Sequence, residues 1–122
     1  MEGKQPKTLG GVLDRYKRGD RDFAESELDD SYLDLSGVCL DGADFSRSFI
    51  TACFQSASLR GTCFFEANVK TCDFRNADLR DADFSGAAIC ATQFAGARME
   101  GARFGQAHAY GHELKDGELP DW

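Results

Sequence analysis

The chain has 122 residues, a formal charge of −7 and 42% apolar residues, which fits one small domain and excludes a surface that binds nucleic acid through net positive charge. No apolar run approaches the roughly 18 residues of a membrane span, and the opening MEGKQPKTLGG lacks the apolar stretch of a signal peptide. Five cysteines with no CxxC pair suit a reducing compartment, so a cytoplasmic protein with neither membrane nor direct nucleic-acid contact is expected.

Residues 1–22 read as a tail followed by a short helix. Thr8 is a candidate N-cap, Leu9, Val12, Leu13 and Tyr16 form an i, i+3, i+4, i+7 stripe, and Gly19 ends the pattern, as an amphipathic helix with a glycine stop requires. From residue 23 to about 106 the period changes to five. Ala-Asp-Phe (43–45), Ala-Cys-Phe (52–54), Ala-Ser-Leu (57–59), Thr-Cys-Phe (62–64) and Ala-Asn-Val (67–69) follow one another in frame. They continue through Cys-Asp-Phe (72–74), Ala-Asp-Leu (77–79), Ala-Asp-Phe (82–84), Ala-Ala-Ile (87–89), Thr-Gln-Phe (92–94), Ala-Arg-Met (97–99) and Ala-Arg-Phe (102–104). Neither the 3.6-residue period of a helix nor the two-residue period of a strand matches this. The chain must turn a corner every five residues, which makes it a repeat solenoid. Over 107–122 the period weakens to Leu114 and Leu119, and the small-residue rule fails at His112 and Gly117. Pro120 and Trp122 are expected to form either a last cap or a dimer contact.

These repeats resemble the pentapeptide-repeat family, whose consensus is similar to A-[DN]-L-x-x with Leu or Phe at its centre. The segment LDRYKRGDRDF (13–23) resembles the helical lead-in that often precedes such repeats. The resemblance implies an all-β fold: a right-handed quadrilateral β-helix of about four coils, with a short capping α-helix before it. Residues 20 apart then stack on one wall. The sequence fits, because Phe54, Phe74 and Phe94 fall in one column and Phe64, Phe84 and Phe104 in the opposite one. Leu59, Leu79 and Met99 fill a third column, and Val69, Ile89 and Ala109 the fourth. Each buried Phe should contribute about 1.5–3 kcal/mol. Two breaks in the period are visible. Leu40, Phe45 and Ile50 precede their counterparts by 19 residues, a one-residue deletion between Ile50 and Phe54. Phe23 and Leu28 precede theirs by 22, so a bulge is expected near Leu33–Ser36.

With the inside assigned, function must lie outside. One wall presents Phe49, Asn68, Ala88 and His108 outward, with Lys70, Cys90 and Tyr110 beside them and Phe65 around a corner. Aligned aromatics of this kind mark a candidate protein-docking surface. Acidity gathers at the first coil, where Asp29, Asp30, Asp34, Asp41 and Asp44 face Arg21 as the one base in residues 20–44. Asp73, Asp78, Arg60, Arg75 and Arg80 suggest ion pairing from coil to coil, worth about 0–1 kcal/mol each at a surface.

No catalytic residue, cofactor site or metal site is assigned. Cys39, Cys53, Cys63 and Cys90 fall on four different walls with Cys72 inside, and His108 and His112 lack metal-motif spacing. No phosphate loop or nucleophile motif is present, so an enzyme is not expected. Three roles remain open. The first is a non-catalytic binding or scaffold solenoid that contacts another protein, with a homodimer through the C-terminal end as an option. The second comes from the family resemblance, whose quinolone-resistance branch mimics duplex DNA and binds gyrase or topoisomerase IV. That mimicry needs negative charge repeated along the rod, and here the charge lies at one end. The third is an adaptor or antidote for a toxin or effector.

Overall fold

The computed structural model describes residues 5–122, the side chains of Asp30 and Ser31 excepted. The repeats, those of Leu28 and Ile50 excepted, make the same corner. The residue two places after the central apolar side chain adopts positive φ, as at Ser56 (61°), Glu66 (55°), Asn76 (62°) and Asp81 (63°). A hydrogen bond from three residues on closes the turn, for example Ala57 N–H to Phe54 C=O at 3.0 Å. A turn with φ > 0 at its third position favours glycine. Gly61 (66°), Gly86 (70°) and Gly101 (79°) occupy it elsewhere.

Between corners the chain runs just far enough to pair with the coils on either side. Four parallel ladders result: Cys39–Ser58–Asp78–Arg98, Asp44–Cys63–Asp83–Arg103, Cys53–Asp73–Gln93 and Phe49–Asn68–Ala88–His108. Inside them the expected columns stack. Phe54 lies 5.0 Å from Phe74, and Phe74 lies 5.5 Å from Phe94, with rings nearly parallel. Phe23, Phe45, Phe64, Phe84 and Phe104 make the facing stack at 4.8–5.7 Å. The two stacks meet edge to face across the interior, as Phe74 does with Phe84 at 5.4 Å and 86°. Both arrangements suit the ring quadrupole. Leu35, fully buried, belongs to the core as well.

The small position two residues before each centre is also interior. Ala52, Ala57, Ala67, Ala77, Ala82 and Ala87 are buried, whereas Ala97 and Ala102 are only partly so. At Thr62, Thr92 and Cys72 the polar group that replaces Ala donates to a carbonyl of the adjacent coil. Thr62 Oγ1 reaches Leu40 O at 3.1 Å, Thr92 Oγ1 reaches Val69 O at 2.8 Å, and Cys72 Sγ reaches Ile50 O at 3.2 Å. Buried hydroxyls thus keep their hydrogen bonds.

Both breaks in the period leave a structural trace. The ladder register passes from Phe49–Asn68 to Cys53–Asp73, which places the deletion where the sequence put it. With its corner residue missing, the chain cannot turn after Ile50. It runs straight as β2 (Phe49–Cys53), parallel to β1 (Glu27–Asp34). The bulge, however, lies earlier than Leu33–Ser36. Leu28 pairs with Ile50 and Leu33 with Ala52, so the extra residues bow out between Leu28 and Leu33. Straightness in β2 fixes this, because Leu33 and Asp34 must already be in register to follow Ala52 and Cys53.

Helix α1 (Leu9–Lys17) begins at Thr8, whose side chain accepts Gly11 N–H at 3.0 Å. Val12 is buried against the repeats, and Tyr16 donates to Asp41 O at 2.7 Å. The far end departs from a continued five-residue period. β3 (His108–Ala109) and β4 (His112–Glu113) form an antiparallel hairpin. Its two turn residues, Tyr110 (53°) and Gly111 (79°), both have positive φ. That is the geometry of a tight hairpin with matching twist. The reversal tucks Leu114 under the last repeats at 2% exposure, with Leu114 N–H bonded to Ala107 O and Leu114 O accepting Gln106 N–H. Trp122 O then accepts Phe94 N–H at 2.8 Å, and Pro120 is buried.

Candidate functional site

The wall carrying Val69 and Ile89 inside presents Phe49, Asn68, Ala88 and His108 outside, each bridged to the next by backbone pairing. Because that register is rigid, their side chains project from one face. Phe49 is 50% exposed at one end and Tyr110 77% exposed at the other. Asn68 spends its Oδ1 on the Lys70 N–H of its own corner at 3.1 Å. Cys90 is half-buried and its Sγ accepts Tyr110 N–H at 3.2 Å. Lys70 and His108 are exposed, and Ala88 is half-buried.

Phe65 stands apart from this strip. Its ring is half-buried at the corner and the Arg47 guanidinium lies 5.5 Å over it, held in turn by Glu66 at 3.4 Å. The cation covers the face that the sequence reading leaves open.

The acidic end is largely occupied with local structure. Asp34 accepts from Ser36 N–H and Oγ, and these bonds hold its carboxyl below the ordinary range. Burial works against ionisation of Asp41, yet Ser58 Oγ at 2.6 Å and Arg60 N–H at 2.9 Å still hold it low. Asp44 accepts Ser46 N–H at 2.9 Å. Asp29 is exposed, and the side chain of Asp30 lies outside what is described. Three of these carboxylates therefore bind their own fold first.

The arginine ladder also differs from a coil-to-coil pattern. Arg75 grips Asp73, and Arg80 grips Asp78, two residues away in the same repeat at 2.8 and 2.6 Å. A two-residue separation across the corner brings guanidinium and carboxylate side by side. Pairing between coils occurs instead at Arg60–Asp41 and Arg103–Asp83. Asp73 is the strongest case: Arg75 foremost, with Gln55 Nε2 at 2.7 Å, outweighs its burial and brings its carboxyl down to about 2.

Two surface features escape the sequence reading. Tyr32, 55% exposed, rides on the bulge of β1. Beside the hairpin, Ala91, Ala109, Tyr110, His112 and Trp122 line a cavity of about 450 Å³. The inserted residues before Leu33 signal the first; nothing in the period signals the second, which exists only because the hairpin folds back. No group of three or more His, Cys, Asp or Glu suited to a metal ion occurs among the described residues. Nor is any described helix long and apolar enough to cross a membrane.

Residues 52–88 and 72–108 match the family model for pentapeptide repeats, in eight copies. No curated protein matches the chain. Among solved structures, a pentapeptide repeat protein (Rfr23) from the cyanobacterium Cyanothece 51142 superposes with a TM-score of 0.56 at 20% identity. That match covers 78% of this chain, which spans 64% of the length of the other. A pentapeptide repeat protein from Nostoc PCC 7120 is 29% identical over 94% of this chain and 93% of its own, with a TM-score of 0.44. One from the Arabidopsis thaliana thylakoid lumen is 29% identical over 68% of this chain and 66% of its own, at 0.43. The fold shared with the first of these is a right-handed β-helix.

Proposed function

Since the chain is a pentapeptide repeat protein, we propose that it is a non-catalytic docking solenoid whose Phe49–Tyr110 wall binds another protein. In this reading the rod is four-sided, about four coils tall, and closed at its first coil by α1. One observation carries the proposal. Exposed Phe49 begins a rigid ladder through Asn68, Ala88 and His108, and exposed Tyr110 follows two residues beyond its far end. Aromatic anchors on a preformed surface bind at low entropic cost. The free thiols of Cys39, Cys53, Cys63, Cys72 and Cys90 favour a cytoplasmic setting.

A duplex-DNA mimic receives less support. Mid-rod carboxylates Asp73, Asp78 and Asp83 are each paired with an arginine, which removes the phosphate-like repeat a mimic needs.

The test is affinity capture with the wild type beside a Phe49→Asp/Tyr110→Asp variant, scored by mass spectrometry. A protein retained by the wild type and lost by the variant is expected. Equal retention by both would refute the docking wall. Inhibition of gyrase supercoiling by micromolar protein would restore the mimic.

A further inference from the structure

The cavity beside the hairpin adjoins the docking wall, because Tyr110 belongs to both. We propose that it receives the guanidinium of an arginine side chain presented by the partner protein. The inference deepens the docking role proposed above and rests on it.

Three observations point to that chemistry. First, the shape is suitable. Tyr110 and Trp122, with Ala91, Ala109 and His112, line about 450 Å³, within the range of ligand-sized sites. Second, the chain already lays arginines on its accessible rings. Arg21 lies 3.6 Å over Tyr16 and Arg47 lies 5.5 Å over Phe65. Among the described residues no cation lies over Tyr110 or Trp122, although Tyr110 is 77% exposed. A ring face so placed attracts a cation through its quadrupole, and a planar guanidinium stacks on it better than an ammonium. Third, the segment that supplies His112 and Trp122 carries net negative charge. Glu118 lies 3.5 Å from His112, and Glu113 and Asp121 adjoin the lining residues in the chain, against Lys115 as the one Lys or Arg over 112–122. The carboxyl of Glu118 is held low, chiefly by Lys115 N–H, so it stays charged at neutral pH.

Trp122 is the single tryptophan, so its fluorescence reports on this cavity. The experiment titrates the whole protein with acetyl-Gly-Arg-Gly-amide and with the neutral isostere acetyl-Gly-citrulline-Gly-amide. A saturable change with the arginine peptide is expected, at least about fivefold weaker with citrulline. Tyr110→Ala should weaken the arginine response by about fivefold, whereas Tyr110→Phe should keep it. Tyr32→Ala, on the bulge of β1 at the first coil, should leave it unchanged. Equal responses to the two peptides, or none up to tens of millimolar, would overturn the proposal, as would loss of the signal in Tyr32→Ala. If the arginine response holds while protein capture ignores Phe49, the docking wall fails and the cavity stands.

Discussion

Phe74 is the sharpest test of how the rod is held together. It is fully buried and touches four rings: Phe54 at 5.0 Å and Phe94 at 5.5 Å in its own stack, Phe64 at 5.6 Å and Phe84 at 5.4 Å across the interior. Phe74→Ala removes the ring and opens a cavity that neighbouring coils cannot close, since backbone ladders fix their spacing. A cost of about 3–5 kcal/mol follows. Phe74→Leu keeps most of the volume and loses mainly the ring geometry, so about 1–2 kcal/mol is expected. The difference between the two variants isolates the cavity. Phe49→Ala, at a half-exposed site, should cost only about 0.5 kcal/mol. Equilibrium urea unfolding followed by circular dichroism measures all three. Trp122 fluorescence, read in parallel, asks whether the C-terminal end melts with the middle, as strongly coupled neighbouring coils require. A Phe74→Ala cost no larger than that of Phe49→Ala would refute the stacked-ring account.

Further outcomes follow from the same geometry. Ala77 is fully buried and its neighbour Asp78 is not, so Ala77→Leu should lower stability by at least about 2 kcal/mol through overpacking. Asp78→Leu should cost no more than about 1 kcal/mol, as for a surface ion pair, and comparable melting shifts would contradict the inward assignment. Because folding lowers the Asp73 carboxyl from its ordinary value to about 2, its contribution is present above about pH 4 and lost as pH falls towards 2. It amounts to roughly 2 kcal/mol. Asp73→Asn should flatten the acid limb of the stability profile, and an unchanged limb would argue against the pairing. Burial raises the Cys72 thiol to about 12, whereas Cys39 is exposed. Timed alkylation read by peptide mass spectrometry should therefore modify Cys39 first and leave Cys72 intact until the protein unfolds.

Much of this architecture is local and therefore readable from the chain. Nearly every five-residue unit carries its own corner and its own inward centre, so the columns of Phe54, Phe64 and Leu59 follow from the spacing once the family resemblance supplies four repeats to a coil. Even the missing corner after Ile50 shows as a step in the count. Other features depend on what lies above or below in space. The place of the bulge before Leu33 was set by the straight β2 strand beneath it. A five-residue count extended through Leu114, yet Tyr110 and Gly111 take the backbone of a tight hairpin and reverse the chain. That reversal, decided by which backbone groups remain to be paired at the end of the stack, buries Leu114 and creates the cavity at Trp122. The proposed docking wall is similarly divided. Its alignment came from the repeat, but which rings stay open did not: Arg47 reaches over Phe65 from the adjacent coil, and nothing covers Tyr110 in that way among the described residues. A period fixes which way a side chain points. What meets it there is a contact between residues about 20 apart, and that belongs to the tertiary structure.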